Sequence, residues 1–235
     1  MARFFRTSLL ATAAAIGLSA CSSNTDSIQD QVSIGKANFQ GFGCATCHTV
    51  AGLGGSLGPD LTMVGFRKSS EWLDLWLSSP ESWKHNTLMP NFYLKEPARK
   101  SLVAYLASLK GEAYADGHAP WNDPALEGDM VKKGQVIFTH AGCAGCHGVG
   151  GQGGYPNNNV AGGLIPSLIQ ASDGYSKEEL AEKIIRGVPQ SVPADPKAPP
   201  PMLHMPTWGE KFSIEEVQAL VEYIYSLNPH KEEAW

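Results

Sequence analysis

The segments Cys44-Ala45-Thr46-Cys47-His48 and Cys143-Ala144-Gly145-Cys146-His147 constrain this chain more than any other feature of its sequence. Both read C-x-x-C-H. In that arrangement two thiols three residues apart reach the two vinyl groups of a haem, and the histidine that follows is directed under the iron. A thioredoxin-like pair or half of a zinc site would also use two cysteines at this spacing. A redox pair has no need of an adjacent histidine twice, however, and zinc would demand further ligands. Of the five cysteines only Cys21 lies outside the two motifs, so none is left for a disulfide. The expectation is two covalently bound haem c groups, one on Cys44 and Cys47 with His48 at the iron, the other on Cys143 and Cys146 with His147.

Covalent haem attachment belongs outside the cytoplasm, and the start of the chain agrees. Arg3 and Arg6 precede an apolar run from Leu9 to Leu18, and Leu18-Ser19-Ala20-Cys21 follows, so residues 1–20 read as a signal peptide. The run is too short to span a bilayer. Leu-Ser-Ala-Cys also resembles the bacterial lipobox, in which the cysteine becomes the acylated first residue of the mature chain. Cys21 is then the lipidation site and residues 21–32 a polar tether opened by Ser22, Ser23, Asn24 and Thr25. A cysteine buried in an ordinary signal sequence is the alternative. Each methylene of an acyl chain buried in the bilayer adds about 0.8 kcal/mol, so several chains make a stable anchor. The expected location is the bacterial cell envelope, lipid-anchored and facing the periplasm or another extracytoplasmic space.

Loss of the leader removes Arg3 and Arg6 and no acids, moving the formal charge from −5 to −7. Nucleic acid is an unsuitable partner for so acidic a chain. Redox proteins with basic docking faces, or a respiratory membrane complex, suit it better, since charge sets encounter rate and salt dependence. With 43% apolar and 17% charged residues the chain is globular, and 25 glycines with 16 prolines forecast much loop and few long elements.

The chain is also written twice. Gly35, Phe39, Cys44, Cys47 and His48 correspond at one constant offset to Gly134, Phe138, Cys143, Cys146 and His147. Downstream the order persists with looser spacing: Pro59 and Leu61 against Pro166 and Leu168, Met89-Pro90 against Met205-Pro206, Tyr105 and Leu109 against Tyr223 and Leu227. Each repeat closes on a helix signal. Pro97 opens an apolar pattern through Leu102, Leu106 and Leu109 that Gly111 ends; Ser213 and Glu216 form a capping box ahead of Val217, Leu220, Ile224 and Leu227. Ser176 with Glu179 starts another helix that Gly187 should stop, and Ser70 precedes a short one carrying Trp72 and Trp76 before Pro80. These apolar stripes read as core. The divisions are domain 1 at 33–110, a linker at 111–124 with little periodicity, domain 2 at 125–228 and a tail at 229–235. Two insertions distinguish the second domain, 148–163 rich in glycine and asparagine and 188–201 rich in proline, and both read as loops.

These paired motifs, from about Ser33 to Leu227, resemble class I cytochromes c, and together a bacterial dihaem cytochrome c with tandem domains. The resemblance implies an all-α fold, each domain a small helical unit around one covalent haem, in which Gly35 with Phe39 and Gly134 with Phe138 let the first helix cross the last near Tyr105 and Tyr223. It implies that the carbonyls of Pro59 and Pro166 accept a hydrogen bond from the proximal histidines, fixing the rings. The sixth ligands it implies are Met89 and Met205, each before a proline; a thioether favours reduced iron and raises its potential. Met202 and His204 crowd the second site and remain alternatives there, while Met63 lies too near the proline loop. His85, His118, His140 and His230 read as surface residues, and Arg67 and Arg186 as candidate partners for haem propionates.

With His and Met on both irons there is no open position for oxygen or peroxide, so the reading is an electron carrier between respiratory redox partners, not an enzyme, with no small-molecule substrate. A fixed relay subunit of a larger respiratory or dehydrogenase complex is the alternative. A dihaem peroxidase would need one labile sixth ligand, and a gas sensor a signalling domain for which no residues are left.

Overall fold

A computed structural model describes residues 23–229. The leader, Cys21 and His230 lie outside the described residues. Helices account for 53% of the structure, and the fold is all-α, built as two cytochrome c-like repeats. The first repeat runs α1 (Ser23–Gly41), a 3-10 turn at Cys44–Thr46, a two-stranded antiparallel hairpin of β1 (Thr49–Val50) and β2 (Leu53–Gly54), then α2 (Val64–Arg67), α3 (Ser70–Ser78), α4 (Pro80–Trp83) and α5 (Glu96–Ser108). The second runs α6 (Met130–His140), α7 (Ala144–His147), α8 (Ala171–Gly174), α9 (Lys177–Arg186) and α10 (Ile214–Ser226).

Each repeat is organised by one close crossing, α1 on α5 and α6 on α10. Glycine makes both possible. A Cβ on Gly35 would lie 1.9 Å from the Ser101 carbonyl oxygen, and one on Gly134 would lie 1.9 Å from that of Ala219, so any side chain would force the helices apart. One turn further along, Phe39 meets Tyr105 with ring centroids 5.5 Å apart, and Phe138 meets Tyr223 at 5.3 Å. The crossing that family resemblance implied is thus present twice, with the same residues at the same places.

Helix boundaries follow local chemistry. Ser213 with Glu216 and Ser176 with Glu179 both close full capping boxes, and α9 ends at Gly187. For α3 the cap is Ser69, whose Oγ accepts from the Trp72 amide, one residue earlier than the sequence suggested. A second difference is at the N-terminus, where α1 already begins at Ser23 and takes in most of the residues read as a tether.

The segment 111–124, read as a linker, is folded and packed. It forms 3-10 turns at Glu112–Tyr114 and Pro120–Asn122, opens a third that runs on as Pro124–Leu126, and buries Tyr114, Ala119 and Trp121 in the second repeat's core. Trp121 stands edge-on to Phe212, 5.8 Å between centroids, and its Nε1 donates to Glu216.

The two repeats also exchange residues. Of the residues around α2, Val64 enters the first core, whereas Met63 is buried in the second and Phe66 packs there edge-on against Trp208 at 5.3 Å. In return Leu203 is buried in the first core, flanked by Tyr155, Ile165 and Met202. These return contacts come from and around the two insertions read as plain loops. Asn157, Asn158 and Asn159 bind the 195–203 backbone through their side-chain amides, and Trp83 Nε1 donates to the Pro156 carbonyl at 3.0 Å.

Candidate functional site

The first C-x-x-C-H follows the end of α1, where Cys44 opens a short 3-10 turn that Cys47 caps and His48 follows; in the second repeat Cys146 and His147 lie in α7, with Cys143 capping it. None of the four cysteines is in a disulfide. Burial pushes the Cys143 thiol up to about 12 and raises Cys44 as well. Such thiols are poor thiolates, unlike the cysteines of a disulfide-exchange site.

The histidines are held alike. His48 Nδ1 lies 2.9 Å from the Pro59 carbonyl oxygen and His147 Nδ1 lies 3.2 Å from that of Pro166. A carbonyl only accepts, so Nδ1 carries the proton and Nε2 keeps its lone pair for a metal. Backbone packs against the first ring: a Cβ on Gly58 would fall 2.5 Å from His48 Cε1. Burial, opposed in part by the Pro166 carbonyl, lowers the His147 pKa and favours the neutral form a ligand needs.

Met89 packs at the edge of the first core with Cys44 and Leu61, and Trp76 Nε1 donates to its Sδ at 3.0 Å. Met205 packs at the edge of the second core with Cys143 and Leu168. Its neighbours are placed otherwise. Met202 packs against the first repeat's core, and the exposed His204 receives the Ser191 amide on Nδ1 at 3.2 Å. Among the four methionines near the sites, Met63 is committed to packing.

Among the described residues no three His, Cys, Asp or Glu gather into a set that could hold a bare metal ion. Each histidine would need a cofactor to supply most of the coordination. The surroundings fit a haem: two thiols, an oriented imidazole and a thioether in each repeat, and two buried donors without a protein acceptor, Arg67 Nε and Trp72 Nε1. An acidic, acceptor-bearing group beside them would satisfy both.

Arg67 was legible as a candidate, but its placement was not. It is buried between the repeats, donating to the Asp60 carbonyl at 3.2 Å and the Gly142 carbonyl at 3.1 Å. Arg186 instead pairs with Glu182 on the surface of α9. His140, read as a surface residue, is partly exposed and lies 3.0 Å from Asp60 Oδ2. Sequence reasoning missed Asp60, Lys68, Tyr114 and Tyr155, all of which matter only because of residues far away in the chain.

The family model named Cytochrome c matches residues 32–110 and 131–228. Cytochrome c oxidase subunit 2 of Alkalihalophilus pseudofirmus is 34% identical over 85 residues, 32% of this chain, and the match spans 25% of that protein's length. A chain of the Kuenenia stuttgartiensis reducing HAO-like protein complex Kustc0457/Kustc0458 is 18% identical, with 83% of this chain and 96% of that one covered at a TM-score of 0.29.

Proposed function

Because this chain belongs to the cytochrome c family, we propose that it is a dihaem electron carrier of the bacterial cell envelope, anchored by acyl chains on Cys21 and passing single electrons between respiratory redox partners. Family membership makes it an electron-transfer protein with covalently bound haem c. The number of haems, the ligands and the anchor are this reading's own.

Cys44 and Cys47 would hold one haem and Cys143 and Cys146 the other; each haem iron, when bound, supplies one reversible electron. What the chain does is hold and insulate. The Pro59 and Pro166 carbonyls orient His48 and His147 through Nδ1. Met89 and Met205 would supply the second protein ligand to each iron, leaving no coordination position for a substrate. Trp72 stacks on Trp76 and stands edge-on to Trp83, and Trp76 holds the Met89 sulfur. The observation that carries the reading is the duplicated histidine-to-proline bond beside two cysteines in both repeats.

Carbon monoxide tests it. Ferrous protein with both irons held by His and Met should show an unchanged spectrum under carbon monoxide. Binding at one haem would favour a peroxidase instead. For the anchor, Cys21→Ser should move the protein from the membrane to the soluble periplasmic fraction with its haem spectrum intact; retention after a salt wash would assign the attachment to a partner.

One relative named above is a subunit of an oxidase, which supports a second reading as a fixed relay subunit. Purification from solubilised membranes distinguishes the two: the carrier emerges alone, the subunit with companions.

A further inference from the structure

The segment joining α2 to α3 sends a cation out of the first repeat and into the second. Lys68 is nearly fully buried, 7% exposed, although nothing in its sequence neighbourhood marks it as a core residue. Its amide bonds the Val64 carbonyl at 2.9 Å, tying its backbone to α2. Its Nζ lies 3.2 Å from Cys146 Sγ, the sulfur beside His147 in the second repeat. The ammonium faces the Trp72 ring at 4.3 Å from the centroid and the Tyr155 ring at 5.3 Å.

Burying a lysine is costly unless the charge finds compensation. Burial lowers the Lys68 pKa, opposed in part by Cys146, and two aromatic faces, one from each repeat, offset a further part of the cost, since the electron-rich ring centre attracts a cation. Among the described residues no carboxylate is hydrogen-bonded to Lys68, and the neighbouring Arg67 adds a second positive charge to the same wall. Arg67 has its own partners, the Asp60 and Gly142 carbonyls, so it pins the first repeat's proximal loop to the residue before Cys143. Lys68, by contrast, ends at a haem-attachment sulfur.

We propose that Lys68 is a positioning residue supplied by the first domain to set the reduction potential of the haem held in the second. This rests on the dihaem reading above. A fixed positive charge favours the less positive, reduced state of an iron centre, and more strongly where burial lowers the local dielectric. Among the described residues the first C-x-x-C-H has no equivalent, because the lysine comes from outside the second repeat and reaches only its haem segment. The arrangement therefore splits the two haems in potential and makes the second the preferred resting place of the electron.

A redox titration of the membrane-extracted, fully loaded protein tests this. Lys68→Met keeps the length and removes the charge; it should lower one of the two couples by about 59 mV, equivalent to a tenfold change for one electron, and leave the other in place. Lys68→Arg, with charge retained, should restore it. Met205→His, which changes the proposed ligand of the second haem, should displace that same couple. Unchanged couples in Lys68→Met, an equal shift of both, or a shift of the couple that Met205→His leaves alone would each overturn the proposal. If Lys68→Met does not load both haems, Lys68→Gln reports the same quantity; failure of both uncharged variants with recovery in Lys68→Arg would assign Lys68 to folding and overturn it too. Absence of two one-electron couples from the unmodified protein would instead overturn the dihaem reading, and this proposal with it.

Discussion

His140 Nδ1 lies 3.0 Å from Asp60 Oδ2, joining the helix that leads to the second C-x-x-C-H to the loop under the first histidine. Asp60 directly follows Pro59, the acceptor for His48, so the two haem segments are connected by a handful of bonds. Tyr114 Oη donates to the same carboxylate at 2.5 Å, and the Thr62 amide to its other oxygen at 2.8 Å. Burial would raise the Asp60 carboxyl, but hydrogen bonds from His140, Thr62 and Tyr114 outweigh it and hold it below the usual carboxylate value.

Asp60→Asn should therefore loosen the junction of the repeats. Because Asp60 titrates lower folded than unfolded, its contribution is fully present above the unfolded carboxylate pKa and is lost as pH falls through the folded one. Urea unfolding at neutral pH should show a loss of about 1–3 kcal/mol, the cost of disturbing one buried charged hydrogen-bond acceptor. The difference from the unmodified protein should shrink in acid. If the Asp60→Asn variant proved as stable as the unmodified protein at neutral pH, the junction would be incidental.

Gly35→Ala and Gly134→Ala probe the two helix crossings. In each case the new methyl would meet a backbone carbonyl at 1.9 Å, which no rotamer change relieves. A loss of at least about 3 kcal/mol is expected, the upper end of overpacking in cores. Measured by thermal unfolding of the haem-loaded protein, equal and small effects would mean the helices separate more freely than their packing implies.

Much of this architecture was legible because it is local. C-x-x-C-H, the capping boxes at Ser176 and Ser213, and the Gly and Phe one turn apart all act within a few residues, or within one helix pair. What lies between the repeats was not. Tyr114 and Trp121 sit in 3-10 turns, where no helical or strand period exposes a buried face. Lys68 reads as a surface residue by type, and its partners Tyr155 and Cys146 are on the far side of the chain. The contacts of the 148–163 and 188–201 loops depend on both insertions being present together. Asparagine side chains knit them to one another, a role that composition alone reports only as loop.

The three candidates for the second sixth ligand are placed differently, and the proposal takes Met205. Met205, like Cys143 and Leu168, packs against the second core, Met202 packs against the first, and His204 is engaged at the surface by Ser191. Ferric protein should show thioether-to-iron absorption in the near infrared equivalent to two haems. Met205→Ala should halve it, and Met202→Ala and His204→Ala should leave it whole. Halving by Met202→Ala would transfer the assignment.

The central claim is that both C-x-x-C-H segments carry covalent haem, and the mass of the denatured protein addresses it directly, since thioether bonds survive denaturation. The unmodified protein should weigh its mature, acylated polypeptide plus two haems, and Cys143→Ala with Cys146→Ala should leave one, retained by Cys44 and Cys47. A denatured mass with a single haem, or with none, in the unmodified protein would contradict the account.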